Sequence, residues 1–315
     1  MNNDSVYRYH LQNVFHTLLL LSGMLLLVGS IGWLIAGAVG VAWSLFMGSM
    51  LAITAPRLSP HLILYLYGAR LLTNKLFDPL LEVISWLTVK GDLPQTPSLY
   101  YIPNSAMLAF TVGMKNNTSI VISEGLLRQL NIRELTAVLA HEVSHIKSND
   151  LWVMSVADTF SRLTSILALI AYMMIIFYIP LFIFEGLEIP YALIILLILA
   201  PTASSLMQLA LSRTREFNAD MQAIKLTDDP DGLISALLKI DQYEKNILKQ
   251  MFLPNVGSSG PSLLRTHPVT EERIQRLILI TESNLQSFNN LEKQSILGNA
   301  KIHRKPKRHI SDLWH

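Results

Sequence analysis

The sequence predicts a mainly α, polytopic membrane protein with four transmembrane helices in two hairpins, carrying an α+β domain with a small sheet. Three observations predict it. Of the 315 residues, 51% are apolar and only 15% are charged, where a soluble domain carries roughly 25% charged residues. No Asp, Glu, Lys or Arg occurs in residues 11–56, 163–184 or 189–212. Between these runs the chain has ordinary amphipathic helices and one stretch with strand and turn signals.

Residues 1–56 form the first unit. A spanning helix needs roughly 20 apolar residues, and the run 11–56 is about twice that. It is expected to fold as two helices with a tight turn near Gly32 to Gly40. Core helices of a soluble protein rarely run so long without a charged face. No Lys/Arg cluster precedes the first span and no polar sequence follows it directly, so it does not read as a cleaved signal peptide.

Residues 57–150 form the second unit. From about 57 to 92 the spacing is that of an amphipathic helix near the membrane surface, interrupted at Asp78-Pro79. Short runs at Leu99 to Ile102, Leu108 to Val112 and Ser119 to Ile122, with Gly113 to Asn117 between the last two, predict a small sheet. Asn131 is placed as a helix N-cap with Glu134 in capping-box position, opening a helix from about Ile132 through His145.

Residues 151–212 are the second membrane hairpin, with its turn around Glu185 to Pro190. Residues 213–285 carry helices over 213–225, 232–249 and 268–280, with a flexible loop from Leu253 to Pro261. Residues 286–315 are a polar tail with a basic cluster from Lys301 to Arg308.

Arg8, Arg57, Arg70, Lys75, Lys147, Arg213 and Arg215 lie near the ends opposite the hairpin turns, and the turns carry neither Lys nor Arg. The chain should therefore be a multi-pass protein of the cell membrane with both termini and both polar blocks facing the cytoplasm. Cysteine is absent, which excludes a disulfide framework and thiolate metal ligands. The net charge of +2 gives no reason to expect a nucleic-acid partner. The spans lack the inward-facing charged relay of a transporter or channel.

The segment His141-Glu142-Val143-Ser144-His145 carries the chemistry. Residues four apart on a helix share a face, roughly 6 Å between Cβ atoms, so both imidazoles can reach one Zn²⁺. Glu142 can then reach a metal-activated water without ligating the metal. Catalytic zinc takes three protein ligands and keeps one open position. The third is expected from another helix, and Glu216 and Asp220 offer two carboxylates four apart. One could bind zinc while the other accepts the N–H of a liganding histidine. Taken alone, that pair reads more readily as a solvated face with Arg213 and Arg215 as ion-pair partners; coupled to the His motif, the metal reading is the stronger. His267 is a candidate oxyanion donor or a helix-capping residue, and Arg213 a substrate contact or a membrane-edge anchor. Asp158 and Arg162, one turn apart, read as an ion pair. The strand at Ala109, Phe110, Thr111 and Val112 offers an edge to which an extended peptide could add.

The pattern HEVSH, then a membrane hairpin, then SRTREFNAD, then RTHPVTEERIQRL, resembles the HtpX-type membrane zinc endopeptidases and, more distantly, the CaaX prenyl proteases. The resemblance covers roughly residues 95 to 280. It implies a zincin-type catalytic domain holding one Zn²⁺ per chain. By resemblance, His141, His145 and Glu216 are ligands, Glu142 is the base, and Asp220 is the acid behind a ligand. Ala109 to Gly113 and Ile120 to Leu127 look like the family's strand and the segment leading to its metal helix. One departure is Leu108, where the family usually has Asn.

The function read from this is zinc-dependent endopeptidase activity on polypeptides. His145 lies just before the third span and Glu216 just after the fourth, so zinc should sit within roughly 10–20 Å of the membrane surface. Substrates are then membrane proteins or chains close to lipid, and the resemblance implies a quality-control role. The alternative is an inactive scaffold that retains the fold, against which the intact His141, Glu142, His145 and Glu216 count.

Overall fold

Long charge-free sequence has one stable form in a membrane, the helix, because it satisfies its own backbone groups. In the computed structural model, which describes residues 3–54, 60–73, 77–114, 117–185, 190–252, 271–279 and 281, such sequence is helical at every described position but Pro190. Helix α1 (Asn3–Thr54) departs from helical geometry only at Ala36 (φ −146°) and Gly37 (φ 58°). Gly37 adopts that left-handed backbone without a Cβ penalty, and the chain doubles back there. Gly32 and Gly40 meet backbone to backbone, so closely that a Cβ on Gly40 would collide with the Gly32 carbonyl.

The chain continues through α2 (Pro60–Leu66), β1 (Arg70–Leu71), α3 (Asp78–Gly91), β2 (Ser98–Ile102), β3 (Ala109–Met114), β4 (Asn117–Ser123) and α4 (Glu124–Gln129). It then forms α5 (Ile132–Lys147), α6 (Asp150–Glu185), α7 (Tyr191–Thr227), α8 (Pro230–Phe252) and a helix over 271–279, α9. Among the described residues, three helices are long and apolar enough to cross a membrane, within Val14–Met50, Asp150–Phe177 and Tyr191–Thr227. Their outward side chains, such as Leu26, Ile176 and Leu199, are exposed, as suits a surface whose solvent is lipid.

The first arm of α1 lies against α6 and α7. Met24 and Val28 pack with Val153, Val156, Ala157, Phe160 and Leu211, and Ile31 with Ala171, Leu197 and Ala200. α7 runs through residue 212 without a break. The helix carrying Glu216 and Asp220 is therefore the direct continuation of an apolar span.

Outside the spans, the expected amphipathic helix over 57–92 is instead two helices with a short strand between them. Gly68, at φ +61°, ends α2 and turns the chain into β1, where Arg70 and Leu71 pair antiparallel with Tyr101 and Tyr100. The sheet order is β1-β2-β4-β3. β2 runs parallel to β4 and β3 antiparallel to it, so the sheet is mixed and β3 is an edge.

One sheet face buries Leu99, Ile120 and Ile122 against Leu135, Leu139 and Val143 of α5 and Ile84 and Leu87 of α3. Each such side chain stabilises the fold by about 1.5–3 kcal/mol. That burial fixes α5 against the sheet. At its start, Asn131 Oδ1 accepts from Glu134 N–H while Glu134 Oε2 accepts from Asn131 N–H, both at 2.9 Å. Glu134 also accepts from Ser235 at 2.6 Å and Lys239 at 2.8 Å, tying α8 to the same helix.

Candidate metal centre

α5 presents His141 and His145 one turn apart, with Glu142 buried beside them. Their Nε2 atoms are 3.1 Å apart and their rings perpendicular. α7 brings Glu216 across from them: Oε2 is 3.4 Å from His141 Nε2 and Oε1 is 3.6 Å from His145 Nε2. Tetrahedral ligands held at about 2.0–2.2 Å from one ion lie roughly 3.3–3.6 Å from each other, so this spacing fits a single zinc.

Each imidazole turns its other nitrogen to a carboxylate. His141 Nδ1 is 3.0 Å from Asp220 Oδ1, and His145 Nδ1 is 2.9 Å from Asp150 Oδ2. With Nδ1–H donating, Nε2 is left as the lone pair for a metal. Asp150 gets there through a break in the helix. α5 gives out at Ser148, Asn149 turns left-handed at φ 55°, and Asp150 begins α6 facing back onto His145.

The carboxylates are held in turn by arginines. Arg273 of α9 grips Asp220 with two bonds, Nε to Oδ2 at 2.7 Å and Nη2 to Oδ1 at 2.6 Å. Its Nη1 lies 3.2 Å from Glu216 Oε2. Arg215 Nη1 donates to Asp150 Oδ1 at 2.7 Å, and its Nη2 donates to Thr17 Oγ1 on α1. On the other side, Thr111 of β3 donates to Glu142 Oε2 at 2.7 Å.

Among the described residues the site buries the carboxylates of Glu142, Asp150, Glu216 and Asp220 against the guanidiniums of Arg215 and Arg273. That leaves an excess of two negative charges, which one divalent cation balances. Titration reflects the same excess. Burial pushes the His141 imidazole down, but the Asp220 and Glu216 carboxylates outweigh it and raise the group to about 10. Burial would raise the Asp220 carboxyl, yet Arg273 and His141 hold it below its ordinary range. Burial likewise opposes the charge on Arg273, and Asp220 and Glu216 raise it above the usual value.

The structure thus brings together His141, Glu142, His145, Glu216 and Asp220. Thr111 joins them through Glu142. Ala109, Phe110 and Val112 line the same edge strand. Because Ser123 N–H bonds Leu108 C=O at 2.9 Å, antiparallel alternation leaves the backbone groups of Ala109 and Thr111 toward the open side. Arg213 is exposed on α7, one turn before Glu216. His267, the loop from Leu253 to Pro261 and the basic tail lie outside the described residues. Asp158 and Arg162 form an exposed ion pair at 2.7 Å. Sequence reasoning offered Arg215 only as an ion-pair partner on the Glu216 face, and it missed Asp150, Arg273 and the bond from Thr111 to Glu142. The only available signals were acids and arginines directly adjoining the motifs.

Residues 75–280 match Peptidase family M48. A protease HtpX homolog of Methylibium petroleiphilum is 32% identical, the match covering 84% of this chain and 97% of that one. Similar homologs from Campylobacter hominis and Acaryochloris marina are each 34% identical, covering 85% and 83% of this chain and 98% and 92% of theirs. The crystal structure of S. mikatae Ste24p is similar over 86% of this chain and 66% of that one, with TM-score 0.43 and 20% identity.

Proposed function

Because the chain belongs to the zinc metallopeptidases of family M48 and within them to the HtpX homologs, we propose that it is a membrane-bound zinc endopeptidase cleaving membrane and membrane-proximal polypeptides. The observation that carries this reading is the convergence of His141, His145 and Glu216 on one point beside the buried Glu142.

His141, His145 and Glu216 would hold one Zn²⁺. When bound there, zinc polarises the scissile carbonyl and lowers the pKa of water. Glu142 takes the proton of the attacking water as the oxygen bonds to the carbonyl carbon. As the C–N bond breaks, Glu142 returns that proton to the leaving amine. Thr111 fixes one carboxylate oxygen of Glu142 and leaves the other for the proton transfer. The open edge of β3 at Ala109 and Thr111 suits a substrate added as a further strand. His267 lies six residues before Arg273, which grips Asp220. That proximity supports His267 as the oxyanion donor.

The reversal at Gly37 supports reading α1 as two spans, for a total of four. The Lys/Arg distribution supports a cytoplasmic site. Thr17, close to the start of the first apolar run, bonds Arg215, the neighbour of Glu216. The site is thus near the membrane edge, which favours substrates in or beside the bilayer and a quality-control role.

The deciding experiment is Glu142→Gln. The variant should keep about one zinc per chain by atomic absorption yet lose peptide hydrolysis by orders of magnitude. Near-normal turnover would sink the mechanism. A zinc-loaded wild-type chain that cleaves no peptide would favour the scaffold reading instead.

A further inference from the structure

We propose that the first membrane helix is part of the metal site, because Thr17 holds Arg215, Arg215 holds Asp150, and Asp150 sets the ring of His145. The inference rests on the reading of His145 as a zinc ligand. Arg215 is buried although charged, and its guanidinium reaches two acceptors on different helices, Asp150 Oδ1 on α6 and Thr17 Oγ1 on α1. A planar fork of donors holds both acceptors in one fixed geometry, which the compact, rotatable ammonium of a lysine does not. Thr17 is itself buried, at the head of the leucine run 18–21, where a hydroxyl has no packing advantage over valine.

Asp150 spends one oxygen on Arg215 and the other on His145 Nδ1. Its orientation, and so the direction of the His145 lone pair, is fixed from the side of α1. Met24 and Val28, about two and three turns beyond Thr17, seat the same helix against Val153 and Leu211. A shift of the first arm of α1 along α7 would therefore reach the metal through four side chains. Thr17 and Arg215 are positioning residues, and seating of the N-terminal hairpin controls how tightly zinc is held.

The test uses the full-length protein in detergent, loaded with zinc or with cobalt(II) as a spectroscopic substitute. Thr17→Val keeps volume and removes the hydroxyl, Arg215→Lys keeps charge without the fork, and Arg215→Met removes both. Arg215→Met should raise the metal Kd, measured by chelator competition, by about 10- to 100-fold, the scale of losing a partner behind a ligand. Thr17→Val should raise it by less and shift the cobalt visible spectrum, with KM unchanged. Arg215→Lys should fall between. Combining Arg215→Met with Asp150→Asn should cost no more than Asp150→Asn alone, because both act by one route.

Thr17→Val with wild-type metal Kd and cobalt spectrum overturns the proposal, and so does full additivity of the double variant. His145→Ala is the control. If it keeps its metal, the ligand reading itself is wrong. If it loses metal while Thr17→Val and Arg215→Met do not, only the link to α1 is wrong. Should Arg215→Met fail to fold, Thr17→Val decides alone.

Discussion

Thr111 and Glu142 stand 31 positions apart, on an edge strand and on the metal helix, and the threonine hydroxyl donates a 2.7 Å bond to the carboxylate. A bond to a charged group contributes about 1.5–3 kcal/mol, enough to decide which rotamer Glu142 occupies. Thr111→Val should lower kcat by roughly 10-fold or more while leaving zinc content and KM unchanged, since small misplacements of a catalytic group are costly. Thr111→Ser should recover most of the loss. Steady-state kinetics on a peptide substrate reads both, and a Thr111→Val enzyme with normal kcat removes Thr111 from the machinery.

Arg273 and Asp220 form a buried pair joined by two hydrogen bonds. Arg273→Leu strands a carboxylate in the interior, and removing one partner of such a pair typically costs about 3–5 kcal/mol. The variant should unfold at markedly lower denaturant, and Arg273→Leu combined with Asp220→Leu should be more stable than Arg273→Leu alone. Equal stability of the single and double variants would show that the stranded carboxylate carries no cost.

The raised His141 imidazole gives the metal-free chain a pH signature. Folded His141 titrates near 10 against an ordinary 6.5, so the folded state binds that proton more tightly. Its contribution to stability is complete below pH 6.5 and disappears as pH rises from there to about 10. The metal-free chain should lose thermal stability across that window, and Asp220→Asn should flatten the trend. Zinc must displace the same proton, so apparent zinc affinity should rise with pH. Calorimetry in two buffers of different ionisation heat should show proton release at pH 8. Zinc uptake without protons would contradict the assignment.

Gly40 bears on the membrane part. A Cβ there would overlap the Gly32 carbonyl, and backbone cannot step aside as a side chain can. Gly40→Ala should destabilise the detergent-solubilised protein by about 1–3 kcal/mol, the usual range for overpacking, whereas Ala36→Val beside it should cost less. Matching melting curves for Gly40→Ala and wild type would mean that the hairpin is looser than described.

What the sequence could reveal follows from the range of the interactions involved. His141 and His145 are legible because four residues along a helix is a fixed distance. The Asn131 cap is legible because its partner Glu134 is three residues away, and β3 and β4 because β-branched runs flank a glycine turn. Glu216 and Asp220 share a face for the same local reason. Asp150 was hidden by the left-handed Asn149, which breaks the periodicity that would have placed it. Arg215 and Arg273 serve acids 65 and 53 positions away, and no spacing rule spans such distances. β1 was missed because its two residues sit in sequence with helical spacing, and it is a strand only because Tyr100 and Tyr101 are there to pair with it.

The unbroken course of α7, from apolar span to Glu216, also bears on how the enzyme can be handled. Many membrane proteases can be freed from their anchor by cutting a tether, leaving a soluble catalytic fragment. No such cut exists here. His145 stands before the second hairpin and Glu216 after it, so every polypeptide that retains both must retain the hairpin as well. On the zinc-ligand reading proposed above, the catalytic unit cannot be separated from its candidate spans, and purification, assay and inhibitor screening would be carried out on the protein in detergent or lipid.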